Sequence, residues 1–210
     1  MFDSREQAAE LLAQQLKKKG YGGKSTIVLA IPRGGVVTGR VVADALGAPL
    51  DIVVTRKIPA PHQPELALGA VGPEGVRIVN WETVAHAGVD EEYIDTKSES
   101  LEKEITERER LFRGGKPALD INKKVVMVTD DGVATGATVE AAVAYLGTKH
   151  PSKIVVAVPV ASQDAVMKLT PLVDEMVVLE SPEDFGAVGQ FYREFPQVTD
   201  EKVIELLGTI

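Results

Sequence analysis

Short runs of β-branched and aliphatic residues recur along the chain, separated by stretches whose apolar positions return every three or four residues. The runs at 26–31 and 125–128 are almost unbroken and read as strands buried in a parallel sheet; further strands are predicted at 51–55, 153–158 and 175–179. Residues 4–19 read as an amphipathic helix. Ser4 and Gln7 have capping-box spacing, Ala8, Leu11, Leu12 and Leu16 share one face, and Gly20 stops it. Helices are also predicted over 36–46, 90–113, 136–146 and 163–169, and Thr199 caps a last one through Leu207. Strands alternating with helices predict an α/β fold: a doubly wound, mainly parallel sheet with helices on both faces, built as one domain over 1–210.

Three stretches break the alternation. Residues 58–65 hold Pro59, Pro61 and Pro64, which argue against a helix or a central strand there. The runs 66–71 and 76–79 flank Gly72-Pro73-Glu74-Gly75 and read as a hairpin, so that 58–80 would be a proline-rich lid on a hairpin stem. Residues 90–113 are ionic at fourteen of 24 positions, with a thin seam of Ile94, Leu101, Ile105 and Phe112. Such a helix should lie across the domain with its charges in water. Residues 181–198 gather Phe185, Phe191, Tyr192 and Phe195 among prolines and glycines, an irregular hood placed after the last strand.

Composition narrows the function. A chain of 210 residues with 44% hydrophobic content supplies the core of one α/β domain. Its net charge of −8 argues against general nucleic-acid binding, which needs a basic surface. The absence of cysteine excludes disulfides, zinc–thiolate sites and a thiol nucleophile. His62, His86 and His150 show no ligand spacing, and there is no Gly-x-Ser-x-Gly elbow, so metalloprotein and serine-hydrolase readings lack support. Gly22-Gly23-Lys24-Ser25 has Lys18 where a P-loop needs glycine and precedes a strand; it reads as a turn. No signal-peptide pattern opens the chain and the longest apolar run, 154–161, is too short to span a bilayer. A soluble cytoplasmic protein, without membrane or nucleic-acid partners, is the expectation.

The chemistry concentrates where predicted strands end. Asp130 and Asp131 close one strand and lead into Gly132, Val133, Ala134, Thr135, Gly136, Ala137 and Thr138 at the start of a helix. Open α/β sheets bind ligands in the crevice beyond the carboxyl ends of their strands. Backbone N–H groups at a helix N-terminus form a nest for phosphate, while two adjacent acids suit sugar hydroxyls or Mg²⁺. A ligand carrying both a ribose and a 5′-phosphate satisfies both halves. After the first strand, Pro32-Arg33-Gly34-Gly35 combines glycines for close approach with a guanidinium for phosphate. Arg56 and Lys57, read at the end of the 51–55 strand, are costly together in a crevice unless an anion is expected. An ordinary strand–turn–helix junction accounts for the turn residues but not for the arginine.

These segments, in this order, resemble the type I phosphoribosyltransferases: a hydrophobic strand, an acidic pair and a Thr-Gly-x-Thr loop, preceded by a pyrophosphate loop and an Arg-Lys pair. The whole sequence also looks like a bacterial and archaeal branch of that family sharing the proline-rich lid and the Val-Gly-x-Phe-Tyr tail. The resemblance implies that Asp130 and Asp131 hold the ribose hydroxyls of phosphoribosyl pyrophosphate. It also implies that Ala134, Thr135, Gly136, Ala137 and Thr138 hold its 5′-phosphate. Arg33, Gly34, Gly35 and Lys57 would bind pyrophosphate, with Arg56, Lys57, Asp130 and Asp131 as the catalytic set. Mg²⁺ would sit on Asp130 and Asp131 or arrive with the substrate. Phe185 and Tyr192 would stack a nucleobase-like acceptor, placing the protein in nucleotide metabolism. Hypoxanthine-guanine enzymes carry aspartate where this chain has Ala134; the alanine is similar to adenine and uracil enzymes. Acceptor and pathway stay open, and a homo-oligomer is allowed. Two other classes fit the residues: a non-catalytic regulator of the same fold sensing phosphoribosyl pyrophosphate or a nucleotide, and a phosphohydrolase using the acids as metal ligands.

Overall fold

The computed structural model describes residues 1–208. The chain runs α1 (Arg5–Lys18), β1 (Thr26–Ala30), α2 (Gly34–Leu46) and β2 (Leu50–Ile52), then β3 (Arg56–Ala60), β4 (Gln63–Val71) and β5 (Arg77–Val79). It continues through α3 (Trp81–His86), α4 (Glu91–Phe112), β6 (Val125–Thr129), α5 (Ala137–Gly147), β7 (Lys153–Val160), α6 (Gln163–Leu169), β8 (Glu175–Glu180) and α7 (Asp200–Leu207). Five strands form one parallel sheet in the order β2-β1-β6-β7-β8, and β3-β4-β5 form a separate antiparallel sheet.

Side chains alternate between two cores, as the period of a strand dictates. Val28, Ala30, Met127, Val155 and Ala157 pack with α1, α2 and α4, while Ile27, Leu29, Val126, Val128, Val156 and Val158 pack with α5 and α6. Both faces are therefore covered, as the alternation predicts. The register pairs Ala30 with Thr129 and Thr129 with Ala157, so β1, β6 and β7 leave the sheet side by side. Loops that follow β1 and β6 must then meet.

Ser4 caps α1 by accepting from the Gln7 N–H, and the α4 seam of Ile94, Leu101, Ile105 and Phe112 is buried. The turn at Gly22-Gly23 packs on the end of α2, where the Gly23 N–H donates to the Leu46 carbonyl at 2.9 Å. It lies at the amino end of β1, away from the crevice. Two expectations are corrected. The proline-rich segment does form strands, β3 and the start of β4. Pro59 sits at a register irregularity in an edge strand, and Pro64 lies beyond the reach of β5, so neither ring interrupts a paired N–H ladder. The charges of α4 are not all in water either. Arg113, just past its end, ion-pairs with the buried Asp51 at 2.8 Å, and Arg108 reaches Asp200 at 3.2 Å. The short α3, capped by Asn80, is an element that the periodicity did not reveal.

At the amino ends of β7 and β8, Glu175 accepts from Lys153 at 2.8 Å and pairs with Lys19 at 3.0 Å, and the Tyr21 hydroxyl donates to it as well. Hydrogen bonds from Lys153, then Tyr21 and Lys19, hold the Glu175 carboxyl down at about 2, against an ordinary value of 4.5. A depressed acid contributes stability that is present above its unfolded value and lost as pH falls toward its folded one. Thermal melts should therefore show a stability loss between about pH 4.5 and pH 2 that Glu175→Gln reduces. An unchanged acid limb in that variant would show the cluster to be stability-neutral.

Candidate functional site

Asp130 and Asp131 follow β6 directly, and the Pro32-Arg33-Gly34-Gly35 loop follows β1 beside them. The contact is intimate. A Cβ on Gly34 would stand 1.9 Å from Asp131 Oδ2, and one on Gly35 would stand 2.8 Å from both the Cα and Oδ1 of Asp130. No other residue fits at either position, which is a packing reason for the glycine pair. Two segments nearly a hundred residues apart in sequence thus form one floor.

The two acids have different surroundings. Asp131 accepts from Arg5 Nε at 2.7 Å, with the two side chains only 13% and 7% exposed. Arg5 also donates to the Pro196 carbonyl at 2.7 Å, and its guanidinium lies 3.7 Å from the Phe195 ring centroid. Asp130 has no such cation. Burial, and then the charge of Asp131, raise its carboxyl well above the ordinary carboxylate range, and its Oδ1 accepts the Asp131 N–H at 2.8 Å. The pair thus divides into an Asp131 paired with a cation and an Asp130 without one. Their oxygens together can accept from two adjacent hydroxyls.

Beyond them the loop is fixed at its middle. The Val133 N–H donates to the Val160 carbonyl and the Val133 carbonyl accepts from Ser162 N–H, both at 2.9 Å, while the Ser162 hydroxyl donates to the Ala134 carbonyl. Gly136 turns into α5 with φ of 76°, the left-handed region that favours glycine. Among the described residues, the N–H groups of Thr135, Gly136, Ala137 and Thr138 donate to no protein acceptor. They stand at the positive end of α5, an arrangement suited to phosphate.

The cations are placed differently from the sequence reading. Arg56 and Lys57 do not end β2; three residues intervene and the pair opens β3, with Lys57 exposed and Arg56 partly buried. Arg33 contacts Asp200 at 3.4 Å, and Arg56 lies 3.8 Å from Glu104. Burial, then the neighbouring charges of Arg108 and Arg33, lower the pKa of Arg56. The crevice wall is therefore locally basic in an acidic protein.

The hood also departs from expectation. Tyr192 is 5% exposed, packed between Phe2 at 5.5 Å and Phe195 at 5.1 Å, and its hydroxyl donates to the Asp131 carbonyl. Its ring is a packing element and not an open shelf. Phe185 is half-buried against Phe191 at 4.8 Å, so one face at most is available to a ligand. Arg5 was missed because a single arginine at a helix start carries no pattern. Asp131 is engaged by Arg5, and no cluster of three acidic or histidine groups occurs among the described residues, so the two acids would hold Mg²⁺ only together with oxygens that a ligand brings.

A family model described as "Phosphoribosyl transferase domain" matches residues 3–195. The chain belongs to the phosphoribosyl transferase family. A Mycobacterium tuberculosis H37Rv protein named "Putative phosphoribosyl transferase Rv0571c" is 40% identical over 207 residues, 99% of this chain and 46% of that protein. The chain spans about half the length of the curated relatives it matches. The crystal structure of TT1426 from Thermus thermophilus is 40% identical with a TM-score of 0.82, covering 98% of this chain and 97% of that one. The purine phosphoribosyltransferase of Pyrococcus horikoshii Ot3, 14% identical with a TM-score of 0.50 over 93% and 92% of the chains, shares the fold. These neighbours place the five-stranded parallel sheet with its small antiparallel appendage among type I phosphoribosyltransferase folds.

Removing one partner of the Arg5–Asp131 pair strands the other charge in a buried position, which costs about 3–5 kcal/mol. Arg5→Ala should lose that much in urea unfolding, whereas Arg5→Met combined with Asp131→Asn should recover a large part of it. Equal losses in the single and double variants would show that packing on Phe195, and not charge, sets the cost.

Proposed function

We propose that this protein is a phosphoribosyltransferase, binding 5-phosphoribosyl 1-pyrophosphate and transferring phosphoribose to a nucleobase-like acceptor with release of pyrophosphate. The observation that carries the reading is the meeting of the two glycines with the two aspartates, which brings a candidate pyrophosphate loop, a hydroxyl-binding pair and a phosphate nest onto one floor. In this reading the amides of residues 134–138 take the 5′-phosphate, Asp130 and Asp131 take the ribose hydroxyls, and Arg33, Gly34, Gly35, Arg56 and Lys57 face the pyrophosphate.

The C1–oxygen bond to pyrophosphate breaks while the acceptor nitrogen's lone pair forms the new bond at C1. The ribose passes through an oxocarbenium-like state of the kind seen in glycoside chemistry. The protein's part is to position the reactants and offset charge as pyrophosphate leaves. Asp131, positioned by Arg5, anchors one ribose hydroxyl while Asp130 hydrogen-bonds the other. Mg²⁺ would supply charge neutralisation at the diphosphate oxygens, and Asp130 and Asp131 are the residues that would hold it together with those oxygens. The hairpin of 58–80 is the candidate lid that keeps water from C1. Phe185, with one face partly open, is the remaining candidate for contact with a flat acceptor.

Ligands that bind the folded state alone raise its melting temperature. Ribose 5-phosphate and nucleoside monophosphates should therefore stabilise the protein, sulfate should compete, and Gly136→Val, which forces a side chain into the left-handed region, should abolish the shift while preserving the circular dichroism spectrum. Absence of any shift with every phosphorylated ribose tried would remove the site.

Lys57 distinguishes an enzyme from a sensor. A group that stabilises charge appearing only as pyrophosphate departs affects turnover more than affinity. Once a screen of nucleobases has identified an acceptor, Lys57→Ala should lower single-turnover pyrophosphate release by about 10² or more, with a much smaller change in equilibrium binding, and a chelator should suppress release. Equal losses in rate and affinity would make Lys57 a uniform binder; no release with any acceptor would favour a sensing role.

A further inference from the structure

Helix α4 sends one arginine toward the same place as the β1 loop. Arg108 and Arg33 both donate to a single carboxylate oxygen, Asp200 Oδ1, at 3.2 and 3.4 Å. Asp200 is the first residue of α7, and Thr199 caps that helix. Arg56 completes the group from β3, close enough to Arg108 and Arg33 for their charges to depress its pKa. The balancing acids are Asp200 and Glu104, and Glu104 is 52% exposed and 3.8 Å from Arg56. Three guanidiniums thus face one well-engaged carboxylate and one loosely engaged one.

We propose that Arg108 is a pyrophosphate-binding residue, and that Asp200 Oδ1 occupies a position contested by a phosphoryl oxygen of the substrate. The inference rests on the phosphoribosyltransferase reading and extends it to a helix that lies outside the segments carrying the resemblance. A guanidinium presents a planar fork of donors that suits phosphate, and converging forks from two elements suit the several oxygens of a diphosphate. Packing holds Arg108 in place for such a contact. Its guanidinium lies 5.7 Å from the Phe112 ring centroid one turn along α4, and Phe112 is buried. The side chains of Arg33, Arg108 and Asp200 are 36%, 32% and 30% exposed, so the cluster is open to a solute while its members stay ordered by contacts. A pure structural staple between α4, α7 and the β1 loop needs only one arginine for one carboxylate. The surplus of cations is what a multivalent anion neutralises.

The sign of two substitutions separates binding from stapling. Titration calorimetry with inorganic pyrophosphate and Mg²⁺ would be run on the full chain and on Arg108→Ala, Arg108→Lys and Asp200→Asn. Ribose 5-phosphate, which tests the α5 nest alone, would be titrated in parallel. Arg108→Ala should weaken pyrophosphate about tenfold or more, the equivalent of one charge-assisted contact, and leave ribose 5-phosphate unchanged. Arg108→Lys should recover part of the loss. Asp200→Asn should tighten pyrophosphate, because a competing anion has been removed. If Arg108→Ala does not fold, Arg108→Gln, which keeps a stem over Phe112, carries the same expectation. Pyrophosphate affinity unchanged in the Arg108 variants, or weakened by Asp200→Asn, would overturn the inference. A chain that binds ribose 5-phosphate but not pyrophosphate would overturn it while leaving the phosphate-loop reading intact; one that binds neither would overturn both.

Discussion

Two carboxylates placed side by side at the end of a buried strand repel each other, and Arg5 is the cation that pairs with one of them, Asp131. Its ion pair with Asp131 determines much else about the molecule. It fixes the start of α1 against the sheet, and through the Pro196 carbonyl and the Phe195 ring it fixes the hood as well. Helix α1 and the hood are thereby tied to the two acids. The pair also separates the two acids electrostatically: Asp131 has a cation beside it, while burial and then the charge of Asp131 raise the pKa of Asp130.

Parallel-sheet geometry supplies the rest. Because β1 and β6 are neighbours in register, the loops that leave them must occupy the same space. Glycine is the only residue that lets both loops keep their paths, since any Cβ at Gly34 or Gly35 would overlap the aspartates. The basic wall has a different origin: its arginines come from α2's leading loop, β3 and α4, and α7 supplies the acid Asp200 between two of them. The unpaired amides and the two acids thus come from loops next to the sheet, while most of the positive charge comes from the layer outside it.

What the sequence made legible follows from range. The buried strands, the capped α1, the apolar seam of α4 and the loop from Asp130 to Thr138 depend on periods and spacings within some twenty residues, and those patterns survive reading in one dimension. The Arg5–Asp131 pair links positions 126 apart, and nothing local distinguishes Arg5 from any arginine at a helix start. Arg108 was hidden among the fourteen ionic residues of 90–113. Proline breaks a strand at central, doubly paired positions. Pro59 and Pro64 escape that rule by lying at an irregular edge and beyond the partner strand. Tyr192 shows the reverse limit: an aromatic near a crevice reads equally as shelf or as filler, and only its contacts with Phe2 and Phe195 decide for filler.

The anchoring of the small sheet has a consequence for how charge reaches the crevice. The Tyr93 hydroxyl on α4 donates to the Pro59 carbonyl at 2.8 Å, and Gly72 at the far turn lies so close to α5 that a Cβ there would stand 3.0 Å from the Ala141 carbonyl oxygen. The small sheet is thus held on α4 just before the 61–65 tip and on α5 at the Gly72 turn, leaving residues 61–65 as the exposed end. Arg56 and Lys57 belong to the clamped part. Whatever rearranges at the tip, the electric field they cast does not have to be rebuilt. Its reorganisation was completed when the chain folded, so the dipolar environment beside the crevice is oriented before any solute arrives.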